Sequence, residues 1–455
     1  MNHLRKCLLR AVSMAASMTI VIAWLTVSLT ACGGDSEKQI KKVNLRIMSW
    51  NGDFRELMET YYIPRHQKLM QNVEIEWVTD EINSYRDSVA RGLSDGEHID
   101  IFLGNNEMAP FFAANEKVAP LSQLGITDAD LSDQYRFTRT LGSDSSGVQK
   151  GSAMDCEPGV LLYRSDYAER YLGITHQDEM QEKLSSWDSF IAMARTLNEQ
   201  SEGKVRMLPN SAELWKSVNC AMSGLWLTDG QLSVSDDTVA HWLDIVKELY
   251  EVNAFADVKS LEDDWYSAVD SGVFCFYAAP WLCRSGSPAN ADITTVFSSA
   301  RRSGVSFGKF KTSLAPDGFV YGGTWLYCPQ NSENKGIVAE IIRSFTCDEA
   351  FMKLLALAEV RYVNNSKVCN ELAAIQIPNP LFDGLDAFSV YNSAARSLEF
   401  APPTIYDNSV SSLLYNQTKA YAKGETTVSE AAYNFRLNVW KKYEEITSEP
   451  LKPAY

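Results

Sequence analysis

What this chain has little of narrows it first. It carries five histidines in 455 residues. His66, His98, His176 and His241 stand far apart, and none lies at metal-ligand spacing from another. Nine cysteines are present, yet Cys156, Cys220, Cys275, Cys283, Cys328, Cys347 and Cys369 contain no C-x-x-C pair, which argues against a zinc site. That set is odd in number, so at least one is unpaired within the chain. They read mainly as small buried hydrophobes, with Cys347–Cys369 as a candidate disulfide. Basic residues are outnumbered, 42 against 58 acids, for a net charge of −16. Nucleic acid, whose phosphates need a basic surface, is a poor partner for such a chain.

Motifs of catalysis are also missing. Gly92-Leu93-Ser94-Asp95-Gly96 spells G-x-S-x-G, but a helix precedes it and a strand follows, the reverse of a nucleophile elbow. Gly304 through Lys309 is too short for a phosphate loop, and Phe310 stands where Ser or Thr is needed. No spacing singles out a catalytic pair of carboxylates. The chain therefore reads as neither an enzyme nor a holder of cofactor or metal. No internal repeat or low-complexity segment occurs.

One long apolar run is present, at the start. Arg5, Lys6 and Arg10 precede Ala11–Leu29, which only Ser and Thr interrupt. Leu29-Thr30-Ala31-Cys32 and then Gly33-Gly34 follow, a pattern that resembles a bacterial lipobox: a small residue before the cut, and a thiol after it to take lipid. Residues 1–31 are expected to be a lipoprotein signal peptide, Cys32 the lipidated residue, and 32–42 a flexible tether. No later run reaches the roughly 20 apolar residues that span a bilayer. The expected location is the extracytoplasmic face of the cell membrane, lipid-anchored. The remaining length suits two to three domains or one large two-lobed body, with the hydrophobic (45%) and charged (22%) content of an ordinary globular protein.

Strand and helix patterns then alternate. Val43–Ser49 has period 2, and Phe54–Leu69 reads as a helix broken at Pro64. Val73–Val78 is a strand, Ile82–Leu93 a helix ending near Gly96, Ile99–Leu103 a strand covered on both faces, and Met108–Val118 a helix. Such alternation predicts a mostly parallel sheet. Val160–Tyr163, Val273–Ala279 and Phe319–Cys328 are strand-like. Trp187, Phe190, Ile191 and Ala194 mark a helix capped by Ser185 or Ser186. Val338, Ile341, Ile342 and Phe345 share one helical face, and residues 409–443 are largely helical.

Aromatics recur beside turn-forming or small residues: Trp50-Asn51-Gly52-Asp53, Trp215, Pro280-Trp281 and Gly323-Thr324-Trp325. A sugar has apolar C–H faces ringed by hydroxyls, so a ring flanked by carboxylates and amides suits it. The order of these pieces resembles the carbohydrate-type extracellular solute-binding proteins of ABC importers, the maltose-binding-protein family. Trp50-Asn51-Gly52-Asp53 is similar to that family's W-x-N-G-D turn, one residue shorter. Asp100-Ile101-Phe102 with Leu103 through Glu107 resembles its D-I-I-F strand and ligand-facing loop. Glu157 through Tyr163 resembles its crossing strand, Ser186-Trp187-Asp188-Ser189-Phe190 a helix start, and Gly272 through Trp281 its G-K-x-A-M…G-P-W segment. Tyr321 through Trp325 resembles the second crossing.

The resemblance implies a type II periplasmic-binding-protein-like α/β fold of two lobes, each a mostly parallel sheet flanked by helices. Lobe 1 would comprise 43–155 plus 318–365, and lobe 2 would comprise 156–317 plus 366–455. Crossing segments near 155–160 and 317–323 would form the hinge. Trp50, Asp53, Asn106, Glu107, Glu157, Trp281, Trp325 and Tyr406 are the implied ligand-binding residues. The implied partners are a small solute, most simply a sugar, and ABC permease subunits, with the chain a monomer. The rival readings are an anchored extracellular glycan-active enzyme and a binder of peptide, polyamine or metal chelate.

Overall fold

The computed structural model describes residues 42–284 and 295–450. The expected signal peptide, Cys32 and the tether up to residue 41 lie outside the described residues.

Strand β1 (Val43–Ser49) pairs in parallel with β2 (Val73–Thr79) along its whole length, Val43 opposite Val73 and Ser49 opposite Thr79. On its other side runs β3 (Ile101–Gly104), also parallel, with Ile47 opposite Ile101. All of β3 is buried. That explains its unbroken apolar run, since a central strand between covering helices has no wet face.

Next come β4 (Ser152–Pro158) and β5 (Val160–Arg164), separated only by Gly159. They belong to different sheets, so the chain crosses between lobes at that glycine. A small hairpin, β6 (Leu227–Thr228) and β7 (Gln231–Leu232), stands apart. β8 (Cys275–Ala278) and β9 (Phe310–Ser313) flank β5. β10 (Val320–Tyr327) then returns to the first sheet. The orders are β2-β1-β3-β10-β4 and β8-β5-β9. The two crossings touch: Gly159 N–H donates to the Phe319 carbonyl at 2.6 Å. A Cβ at position 159 would meet the Phe319 ring at 2.2 Å, so only glycine lets these segments pass so closely.

The two-lobed α/β architecture agrees with expectation, but the strand directions of the second lobe do not. β5 is antiparallel to both β8 and β9. Parallel pairing survives there only as bridges, Arg206 with Val273 and Leu208 with Phe255. These put the second lobe in the same arrangement as the first, with a strand from the crossing running against the rest. Alternation of strand and helix in sequence reports only the parallel half, because a crossing strand enters from the other lobe.

Side chains of the shared strands divide between two cores. Val160 and Leu162 of β5, with Phe276 of β8, face the larger one. Leu161, Tyr163, Cys275 and Tyr277 face the other. This is the period of 2 that a doubly covered sheet requires.

Several helices differ in detail. The stretch read as 54–69 is Asp53–Leu57, a π turn Met58–Tyr62, then Ile63–Arg65 and Gln67–Met70. The wide turn accommodates Pro64, which has no N–H to give, and the break falls at His66, whose φ is −115° and ψ 35°. Met108–Val118 shortens to Ala109–Ala114. Ser186 is the cap of Trp187–Gln200, accepting from Ser189 N–H. The C-terminal helical region is two helices, Asp407–Ala422 and Val428–Lys442, which cover the second core. No described helix is long and apolar enough to cross a membrane.

Candidate functional site

A cavity of about 500 Å³ opens between elements of both cores. Its first wall is the loop after β3. Asn105 makes an Asx turn there, its Oδ1 accepting from Glu107 N–H at 3.1 Å and Met108 N–H at 3.0 Å. That turn launches the helix Ala109–Ala114 and presents Asn106, Glu107 and Phe111 to the cavity.

The facing wall is the helix Ser211–Ala221, whose N-cap Asn210 accepts from Glu213 N–H at 3.1 Å. Trp215, Lys216 and Asn219 line the cavity from it. Trp215 is oriented by its indole N–H, which donates to Ser411 Oγ at 2.9 Å. One turn earlier Glu213 is buried, accepting from Tyr277 N–H at 2.9 Å, Ser260 Oγ at 3.1 Å and the Trp265 indole. Burial outweighs these donors and pushes its carboxyl up to about 7.

Lys216 Nζ sits 4.0 Å from the centroid of the Tyr321 ring, over its face. Burial draws its ammonium below the ordinary lysine value, opposed by the charges of Glu213 and Glu107. Neither the Lys216 ammonium nor the Glu107 carboxylate makes a hydrogen bond among the described residues. The segment at 400–412 closes the cavity, with Asp407 held by Gly224 N–H at 2.6 Å and by Thr404. Asn408 Nδ2 reaches the Glu107 carbonyl at 3.3 Å, joining the two sides.

A second polar group lies behind Tyr321 and is closed. Arg361 donates to both oxygens of Asp53, at 2.9 and 2.7 Å, and also to Asp155. Glu157 is 4% exposed and accepts from Trp281 N–H at 2.9 Å. Burial, then the charge of Asp155, raises its carboxyl well above the ordinary range, against the pull of Arg284, the Trp281 amide and Arg361. The Trp281 indole donates to the Tyr321 carbonyl at 2.9 Å and stands edge-on to that ring at 6.0 Å. Gly322, at φ 123°, lets β10 bulge beside Glu157 and Trp281, which a Cβ would approach at 3.4 and 3.5 Å.

Of the residues singled out in sequence, Asn106 and Glu107 are on the cavity wall. Asp53, Glu157 and Trp281 come together in the closed cluster instead, Trp281 buttressing Tyr321. Trp325 is a correction: it is fully buried, its indole donating to the Thr138 carbonyl at 2.9 Å. Its Gly-flanked position reflects core packing under the β10 bulge. Trp50 is likewise packed on the core, edge-on to Tyr85 at 5.6 Å. Tyr406 stands beside the wall, its ring edge-on to Tyr443 at 5.1 Å, and Tyr443 rather than Tyr406 lines the cavity. Lys216 carries no sequence signal of its own, since it sits within an amphipathic helix, and Tyr321 was noted only as the start of the second crossing, not as a cavity residue. The candidate disulfide is not formed; Cys347 and Cys369 are both free. Among the described residues no group of three or more His, Cys, Asp or Glu is placed to hold a metal ion.

Residues 65–375 match the family model described as bacterial extracellular solute-binding protein. No curated protein is matched in sequence. Among solved structures, the fold is similar to an extracellular solute-binding protein of family 1, with TM-score 0.73 and 16% identity over 86% of this chain and 98% of that one. It is also similar to the galacto-N-biose-/lacto-N-biose I-binding protein of an ABC transporter from Bifidobacterium longum, in complex with lacto-N-biose (TM-score 0.66, 14% identity, 90% of this chain, 100% of that one). A third is the sugar-binding protein MalE from Xanthomonas citri (TM-score 0.65, 12% identity, 86% and 95% covered).

Proposed function

We propose that this chain, which belongs to the family of bacterial extracellular solute-binding proteins, captures a neutral mono- or oligosaccharide in the cavity and delivers it to an ABC importer. The observation that carries this is the pairing of Glu107 with Lys216. They reach one cavity from elements of different cores, each without a hydrogen-bond partner among the described residues, with the Tyr321 ring beside them. A sugar hydroxyl can accept from the ammonium and donate to the carboxylate, while C–H faces stack on Tyr321, Trp215 or Phe111. A polyamine would meet Lys216 as a like charge, and a purely apolar guest would leave both ions unsatisfied. The cavity volume lies within the usual range for small-molecule sites, about 300–1,000 Å³.

Capture would work through the crossings at Gly159 and 314–319. A solute touching both lobes favours the closed state over the open one, and the permease would read that closed shape. In this reading the lobes are 43–155 plus 318–365 and 156–317 plus 366–455. Asn106 and Glu107 touch solute directly, while Trp281 and Glu157 hold Tyr321 in place. Lipid on Cys32 would keep the protein at the membrane; Cys32→Ser should then release it into the medium.

The deciding experiment is a thermal-shift screen of neutral sugars, acidic sugars, peptides and polyamines, followed by calorimetry on each hit. A neutral sugar should raise the unfolding midpoint, and Lys216→Met should weaken it. A response confined to peptides or polyamines would end the sugar reading, and turnover of the sugar would end the transport reading.

A further inference from the structure

Two of the buried thiols share one acceptor. Cys156 Sγ lies 3.7 Å from the Val363 carbonyl oxygen, and Cys369 Sγ lies 3.2 Å from the same oxygen. Backbone hydrogen bonds fix both residues around it. Asp155 of β4 bridges Val363, with Cys156 N–H donating to the Tyr362 carbonyl at 3.0 Å and Asn364 N–H to the Met154 carbonyl at 3.2 Å. Cys369 is in the helix Ser366–Ile375, whose cap Asn365 is two residues beyond Val363, and its N–H donates to the Asn365 carbonyl at 3.0 Å. Cys347, the candidate partner of Cys369 in the sequence, instead contacts Thr346 Oγ1 at 3.4 Å.

We propose that Cys156 and Cys369 are a latent disulfide, closed when the chain folds in an oxidising compartment. Membership of an extracellular family puts these thiols where disulfides persist. The step is thiol–disulfide exchange with a small-molecule or oxidoreductase disulfide. One protein thiolate attacks it and expels a thiol, and the second thiolate attacks the mixed disulfide and expels the other. Two S–H bonds are lost and one S–S bond forms. The two electrons reduce the donor disulfide, whose two thiols take up the two protons. The Val363 carbonyl keeps a donor after the sulfurs turn away, since Asn365 N–H reaches it at 2.8 Å. Burial pushes the Cys369 thiol up to about 12 and Cys156 well above its ordinary value, so exchange is fast only before the site closes. The bond would pin β4 to the helix Ser366–Ile375, beside Glu157, and would close a long loop of chain.

The test is to refold the full chain from denaturant in oxidised or in reduced glutathione, alkylate it under denaturing conditions, and map the peptides. The oxidised sample should contain a peptide linked through 156 and 369. That peptide should persist in Cys347→Ser and vanish in Cys156→Ser and Cys369→Ser. The oxidised protein should also unfold at a higher temperature than the reduced one, and added reductant should abolish the difference. Complete alkylation of both residues after oxidative refolding, or a linkage that maps to other cysteines, would overturn the proposal.

Discussion

Two polar groups flank Tyr321, and they have opposite characters. On one side, Lys216 and Glu107 face open space and lack hydrogen-bond partners. On the other, Asp53, Arg361, Asp155 and Glu157 are buried and tied to one another or to main chain. The residue types are nearly the same; what differs is that the second group finds partners within the protein, although Asp155 Oδ1 stays buried without a hydrogen-bond partner among the described residues. Ions paired within the protein hold the crossing segments together, whereas in the proposed reading ions without such partners beside aromatic faces have bonds to offer a guest. Charge near a cleft does not by itself show whether a side chain has bonds to spare: Asp53 accepts from Arg361 with both oxygens.

Experiments can break this contrast. The largest effect should come from Arg361→Met. It strands Asp53 and Asp155 in the interior, and denaturant unfolding should show a loss of about 3–5 kcal/mol. A loss under about 1 kcal/mol would mean that water reaches the cluster and that it is not the closed group described.

Next in size is a pH effect. Glu213 rises from the ordinary 4.5 to about 7 on folding, and Glu157 rises as well. The native state therefore binds more protons than the unfolded chain between these values. The stabilisation is complete below about 4.5 and is lost as pH climbs through 7. For Glu213 alone this amounts to about 3 kcal/mol, at about 1.4 kcal/mol per pKa unit. Glu213→Gln should flatten the stability profile between pH 5 and 8 while lowering stability at pH 5, because an amide nitrogen would oppose one of the donors. An unchanged slope would show that Glu213 is ionised throughout.

On the open side, Lys216→Met and Tyr321→Ala should each weaken solute binding by about 1–3 kcal/mol. Lys216→Met should leave unfolding nearly unchanged, which separates it from Arg361→Met. If calorimetry found Arg361→Met the more damaging to affinity at a temperature where both variants are folded, the roles of the two groups would be reversed. The smallest effect belongs to Trp281→Phe, which removes only the indole donor to the Tyr321 carbonyl. Affinity should fall by about 0.5–1.5 kcal/mol, and a larger fall would put Trp281 itself against the solute.

Much of the frame was legible beforehand. β1 and the helix Lys335–Thr346 declare themselves because their apolar residues recur at the period of their element, and β3 by its short unbroken apolar run. The crossing near 155–160 was legible only through the resemblance of Glu157 through Tyr163 to the family's crossing strand, since β4 carried no strand pattern of its own. The site was legible only in part. Asn106 and Glu107, which line the cavity, were singled out by the resemblance of Asp100 through Glu107 to the family's strand and ligand-facing loop. Lys216 did not stand out, because one lysine in an amphipathic helix resembles any solvated position until its neighbours are known. Trp325 misled because a tryptophan beside glycines looks the same whether the gap admits a ligand or another ring.

The sequence by itself determined most of the elements, because periodicity and local turn chemistry are short-range properties of neighbouring residues, while the two-lobed class and the family came from the resemblance of its motifs, in order, to a known family. Only the tertiary structure decided which charges are paired within the protein and which reach the cavity wall without a hydrogen-bond partner among the described residues. Arg361 and Asp53 are 308 residues apart, and no local pattern announces a bond across that distance. Whether a carboxylate or an ammonium is satisfied depends on what the rest of the chain folds against it.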